Sequence, residues 1–195
     1  MLSNKVYVSV MLILTGFTLS AYGQSDTSMF GKIQIKDVTT YEALPDDIRN
    51  SLGMTFDTYL RIMEDLGNND SISSRDNALK VFDQMSTLMK SNVIEDNWRM
   101  SDDRMSIYRT LIGNATSLNQ QRLLFNELTG IMTKVIDKYG IPGRTIYMLQ
   151  SDGSLSGGKG KWLTEGINGS DPYSGINGTT YPVTVIQGWN FRNSK

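Results

Sequence analysis

The sequence predicts an α+β fold that is predominantly helical: an antiparallel helical pair or small bundle over about residues 45–139, with a small antiparallel sheet drawn from 31–38, 144–150 and 180–187. Three observations predict it. Leu118, Gln121, Phe125, Leu128, Met132, Val135 and Tyr139 recur at alternating steps of three and four residues, and Leu124, Ile131 and Ile136 widen the stripe into a core-facing helix. Two shorter stretches upstream carry the same spacing. Flanking them, Gly31–Val38, Arg144–Gln150 and Thr180–Gln187 are rich in β-formers, the first alternating apolar and polar residues as half-buried strands do.

The first residues read as an export signal. Lys5 supplies the positive start, Val6 to Phe17 the apolar run, and Ala21-Tyr22-Gly23 places small residues before a cut at Gln24. The run is too short to span a bilayer, which takes about 20 apolar residues. Residues 1–23 are therefore expected to be a signal peptide and 24–195 a single mature domain. That domain is divided into a strand-plus-helical part to 139 and a Gly/Asn/aromatic-rich β part from 140. The expected location is periplasmic or secreted, not transmembrane after cleavage.

Along the mature chain, Leu44-Pro45-Asp46-Asp47-Ile48 opens a helix, because proline loses nothing at a first turn and acids there suit the positive dipole end. Gly53 is expected to stop it, and Thr55 to cap a second helix whose Phe56, Tyr59, Leu60 and Met63 share a face. Gly67-Asn68-Asn69 closes that helix. Ser73, with Asp76 three residues on, looks like a capping-box start for the next, which carries Leu79, Phe82, Met85, Leu88 or Met89, and Val93. Ser101-Asp102-Asp103 can cap another segment. Gly140 and Pro142 end the long helix. Beyond it, Ser151-Asp152-Gly153-Ser154 reads as a turn, and Pro182 suggests an edge strand or a strand start.

The composition excludes much chemistry. The chain has 195 residues, 19 Lys+Arg, 20 Asp+Glu, no His and no Cys. Without histidine there is no Ser-His-Asp triad, imidazole base or histidine-ligated metal; without cysteine there is no thiol nucleophile, Fe–S cluster or disulfide. A net charge of −1 carries no nucleic-acid footprint.

Five constellations remain to be weighed. Gly153-Ser154-Leu155-Ser156-Gly157-Gly158-Lys159 has phosphate-loop spacing, but Gly160 stands where a hydroxyl must meet magnesium, so a flexible loop is expected. Ser156 and Lys159 have the S-x-x-K spacing of serine acyl-transferases, yet glycines separate them and no companion motif follows. Asp65, Asn69, Ser73 and Asp76 faintly resemble a calcium loop, with Asp70 where the sharp turn needs glycine; a capped helix joint accounts for them better. The doublets Asp46-Asp47, Glu64-Asp65, Glu95-Asp96 and Asp102-Asp103 point about 100° apart on a helix, so none is a catalytic pair. Met63, Met85, Met89, Met100, Met105 and Met132 read as core filling. No catalytic residue, metal site or cofactor is expected. Asn69, Asn114, Asn168 and Asn177 head glycosylation sequons at a frequency close to chance.

The tail is the most distinctive part. Gly166-Ile167-Asn168-Gly169-Ser170 recurs as Gly175-Ile176-Asn177-Gly178-Thr179, two similar turns. Trp162, Tyr173, Tyr181, Trp189 and Phe191 are interleaved through it. They pack the sheet against the helices, or they form a binding patch. The functional expectation is a non-enzymatic exported protein that acts by contact with another protein of the envelope or extracellular space, as an assembly or secretion-apparatus component or an inhibitor. The alternative is a carbohydrate- or peptidoglycan-binding module, with Trp162 and Trp189 exposed in a groove and weak carboxylate-based hydrolysis.

Overall fold

Among the described residues eight elements follow one another: β1 (Ile35–Asp37), α1 (Asp46–Gly67), α2 (Ser71–Lys90), α3 (Asp102–Gly113), α4 (Leu118–Tyr139), β2 (Thr145–Leu155), β3 (Gly158–Thr164) and β4 (Val183–Asn190). The computed structural model describes residues 35–38, 42–91, 102–155, 158–167, 171–175 and 181–192. The chain divides into two units, Met1–Lys32 and Ile33–Lys195, and all described residues belong to the second. This is the mainly helical α+β architecture that the apolar periods imply.

Helix α1 runs unbroken where two helices were expected. Gly53 lies inside it with open space beside its Cα, and Thr55 turns its hydroxyl back onto the Ser51 carbonyl at 2.8 Å rather than capping anything. The apolar face explains the continuity. Leu52, Phe56, Tyr59, Ile62, Met63 and Leu66 are all buried, and burying that stripe outweighs the roughly 1 kcal/mol that one interior glycine costs. The start of α2 also differs. Asp70, not Ser73, is the N-cap, accepting the Ile72 and Ser73 amides at 3.1 and 3.0 Å. Those amides hold the Asp70 carboxyl below the ordinary carboxylate range, Ser73 contributing most. The short joint between α1 and α2 makes them a helical hairpin.

Helix α4 matches its period. Ser117 and Gln120 form a full capping box, and Gly140 closes the helix at φ 66°, a conformation that favours glycine. Buried Gln121 ties three elements together. Its amide nitrogen donates to the Ser71 and Ala115 carbonyls at 3.0 and 3.1 Å, and its oxygen accepts from the Ser74 hydroxyl. Beside it, Ile62, Phe82, Ile112 and Leu128 line a void of about 10 Å³, room for about one water and nothing larger.

Among the described residues the sheet has four strands in the order β1-β4-β2-β3. It departs from the expected antiparallel sheet in two respects. First, β1 runs parallel to β4, pairing Ile35 with Gly188 and Asp37 with Asn190, so the sheet is mixed. The helices intervene between the two strands in sequence, which gives the crossover a parallel pair requires. Residues 31–34 of the expected first strand lie outside the described residues. Second, Ser151–Ser154, expected as a turn, is strand, and so are residues 158–161 of the glycine-rich stretch after it: β2 continues to Leu155 and pairs with β3, Gln150 facing Lys161 and Asp152 facing Lys159. The last strand starts three residues later than expected, directly after Pro182, and lies inside the sheet.

Side chains close the outer edge of β3. The Lys161 amide donates to Asn126 Oδ1 and the Leu163 amide to the Tyr59 hydroxyl, each at 3.0 Å, while the Lys161 carbonyl accepts the Tyr173 hydroxyl at 2.5 Å. An edge whose ladder groups are spent in this way cannot template another strand. The same contacts seat the sheet on α1 and α4. Arg144 adds a third fastening, reaching Asp57 at 2.7 Å and Glu165 at 3.0 Å and lying 5.7 Å from the Phe56 ring centre.

Candidate interaction surface

The five tail aromatics do not form a patch. Trp162, Trp189 and Phe191 are 0% exposed and Tyr173 is 4% exposed; Tyr181 alone is half-buried. The four buried rings belong to the core together with Ile146, Leu149 and Leu163, which the sheet also buries. Tyr173 meets the Trp162 ring edge-on at 5.9 Å and Phe125 at 6.2 Å, and Phe125 stacks on Tyr59 at 4.9 Å. This aromatic run crosses from the sheet into α4 and α1. The Trp189 indole donates to Asp137 at 2.5 Å, whereas the Trp162 indole N–H has no partner. A groove presenting Trp162 and Trp189 to a sugar is thus replaced by two buried rings.

The remaining constellations resolve into structure. Lys159 sits opposite Asp152 on the β2–β3 hairpin and pairs with it at 3.2 Å, both side chains more than half exposed. The phosphate-loop spacing therefore spans two antiparallel strands, with no helix start to receive a phosphate. Ser156 lies outside the described residues. In the calcium-like stretch, Asp65 accepts the Asn77 amide at 2.8 Å, and burial raises its pKa. Asn69 takes φ 58° to turn the chain, and Asp70 is spent as a cap. Asp46 and Asp47 occupy the first turn of α1, where Asp46 pairs with Arg49 at 3.0 Å. Met63, Met85, Met89, Met105 and Met132 are buried core; Met100, Glu95 and Asp96 lie outside the described residues. Among the described residues no group of three or more acidic side chains is close enough to hold a metal, and no helix is long and apolar enough to cross a membrane.

Helix α3 carries the least expected feature. Its Met105 and Ile112 are buried, and Tyr108 stacks on Phe82 at 6.2 Å; these fix its inner face. Two positions beyond Met105, about 200° around the helix, begins a second apolar row. Ile107 and Leu111, one turn apart, are 56% and 48% exposed. A helix apolar on two opposite sides covers one of them only when a partner arrives. Ile72 opens α2, 66% exposed, next to the Ser71 carbonyl that Gln121 holds together with that of Ala115. The bundle end fixed by Gln121 thus carries exposed apolar side chains from α2 and α3. This pair was readable in the sequence as an i,i+4 couple out of phase with Met105, Tyr108 and Ile112. The tail aromatics, larger and more numerous, drew the expectation instead.

The fold's most constrained polar centre was also not foreseen. Arg122 on α4 is buried at 9% exposure, and its guanidinium donates to the Pro172 carbonyl at 2.8 Å, the Leu66 carbonyl at 3.1 Å and Asn69 Oδ1 at 2.8 Å. Burial lowers its pKa, with the nearby Asp171 carboxylate acting in the opposite sense. Arg122 falls one place after Gln121 on the buried stripe, where a cation is not anticipated. No family model, curated protein or solved structure matches the chain.

Proposed function

We propose that this chain is an exported, non-enzymatic protein that works by contact with another protein of the cell envelope or extracellular space, and that the outer row of α3 is where the partner meets it. The observation that carries this reading is the exposure of Ile107 and Leu111 on a helix already anchored through its opposite side. Two adjacent apolar side chains of that size add interface energy only when water is excluded from them. Export is supported by the apolar, Lys-led start of the sequence and its small residues before Gln24. The non-enzymatic part is supported by the absence of His and Cys and by carboxylates spent on caps and ion pairs.

The test is a comparison of variants in the native envelope fraction. Crosslinked partners of the mature chain should disappear with Ile107→Glu/Leu111→Glu and persist with Met54→Glu, a control on exposed α1 surface. Identical partners for both variants would remove the proposed face. Catalytic turnover abolished by a single carboxylate change would remove the whole reading.

A further inference from the structure

Residues 171–175 cross the sheet–helix junction without joining any element. No backbone–backbone hydrogen bond ties this stretch to the rest of the described fold. Side chains hold it. The Asp171 carboxylate accepts the Ser151 hydroxyl at 3.1 Å and, within the stretch, the Tyr173 amide at 2.8 Å and the Ser174 hydroxyl at 2.6 Å. The Pro172 carbonyl accepts from Arg122, and the Tyr173 hydroxyl donates to the Lys161 carbonyl.

The seat is cut to fit. A Cβ on Gly160 would stand 2.5 Å from the Tyr173 ring, so only glycine leaves room for that ring on β3. At Gly175, where φ is 66°, a Cβ would stand 2.3 Å from Asn69 Oδ1 and 2.9 Å from the Arg122 guanidinium. One aromatic ring is thus inserted like a key between Phe125, Trp162 and Gly160, and a buried cation secures the chain beside it.

The geometry points to residues 171–175 being a releasable strap, which lifts as a local unit while the helices and sheet stay folded. Lifting withdraws Tyr173 and frees the Lys161 carbonyl, and it leaves the Arg122 guanidinium with its Leu66 and Asn69 acceptors. What opens is an aromatic-sized slot walled by Phe125 and Trp162 beside a positive charge. Segments held by side chains alone, outside the hydrogen-bonded helices and ladders, open as local units at lower free energy than the elements they cover.

The absence of native cysteine makes thiol labelling a direct test in the full chain. Ser151→Cys exchanges the hydroxyl that Asp171 accepts for a thiol at a position that is 0% exposed, and serves as the common background for the strap variants; Ala78→Cys places a thiol in the helical core. Local lifting predicts that the Cys introduced at 151 reacts about tenfold or more faster than the one at 78, at a rate insensitive to low urea. Adding Tyr173→Phe should speed labelling at 151 by about fivefold, the loss of one hydrogen bond, and leave labelling at 78 unchanged. Equal, urea-dependent rates at both positions would overturn the proposal, because the strap would then open only with global unfolding. An unchanged rate at 151 on adding Tyr173→Phe would overturn it as well, since the tyrosine would then not be what holds the strap closed.

Discussion

The Tyr59 hydroxyl lies 2.7 Å from that of Thr129, 70 residues away, inside a fully buried junction of α1, α4 and β3. The proton positions follow from the neighbours. Thr129 gives its proton to the Phe125 carbonyl at 2.9 Å, so Tyr59 donates to Thr129 and accepts the Leu163 amide. One phenol therefore serves both helices and the strand edge.

Tyr59→Phe keeps the ring stacked on Phe125 but leaves the Leu163 amide unpaired. A stranded buried donor costs about 1–3 kcal/mol, so the unfolding free energy should fall by that amount and the urea midpoint by that amount divided by an unchanged slope. Thr129→Val keeps the strand-edge acceptor but strands the buried Tyr59 proton, so a cost of the same order is expected. Equal midpoints for wild type and Tyr59→Phe would show that Leu163 finds another partner.

Alkaline pH should unfold the protein through its buried phenols. Burial is the main cause that raises the pKa of Tyr59 above the ordinary tyrosine range, and it does the same for Tyr173. A pKa raised on folding means that the unfolded chain releases its protons first. The stability these phenols contribute is therefore complete below about pH 10, the unfolded value, and is lost as pH climbs toward the folded values. Midpoints measured at rising pH should decline from about pH 10, and less steeply in Tyr59→Phe.

The two buried tryptophans in the sheet should respond differently to the same change. Trp189→Phe gives up the indole bond to Asp137 as well as volume, whereas Trp162→Phe gives up volume and an N–H that had no partner. A bond to a charged group is worth about 1.5–3 kcal/mol, so Trp189→Phe should be the more damaging by roughly 1 kcal/mol or more. Denaturant titration of both variants decides it, and the reverse order would refute the assignment of partners.

Gly53→Ala and Gly130→Ala should stabilise. Both glycines sit inside helices, and a Cβ at either meets nothing within 4 Å. Alanine removes backbone freedom from the unfolded chain, worth about 0.4–1 kcal/mol at each site, and the two gains should add. A thermal melt of the double variant measures the sum; a fall in midpoint would mean that α1 or α4 is not straight through these points.

Helix α4 was legible because one period covers its length and its ends carry their own signals in Gly140 and Pro142. At Gly53 the local signal misled. A glycine followed by Thr55 reads as a boundary, and only the continuous buried face from Leu52 to Leu66 overrides it. Strand β3 had no legible pattern: Gly158-Lys159-Gly160-Lys161 is written for a hairpin ion pair and for a ring that must sit on Gly160. The parallel union of β1 with β4 depends on partners about 150 residues apart, which local spacing does not encode. The tail aromatics were found as residues but not as core. Composition gives the size of a ring, and burial depends on what lies across from it. Arg122 was hidden for a related reason, since its acceptors are mostly backbone carbonyls.

The strand that completes the sheet is β4, and every earlier strand except β3 pairs with it. During synthesis helices α1 to α4 and the β2–β3 hairpin emerge before that strand exists, leaving β1 and one side of β2 with nothing to join. The sheet is thus committed late, held loose until β4 has been made. A nascent chain stopped at residue 182 should stay sensitive to protease, however complete its helices.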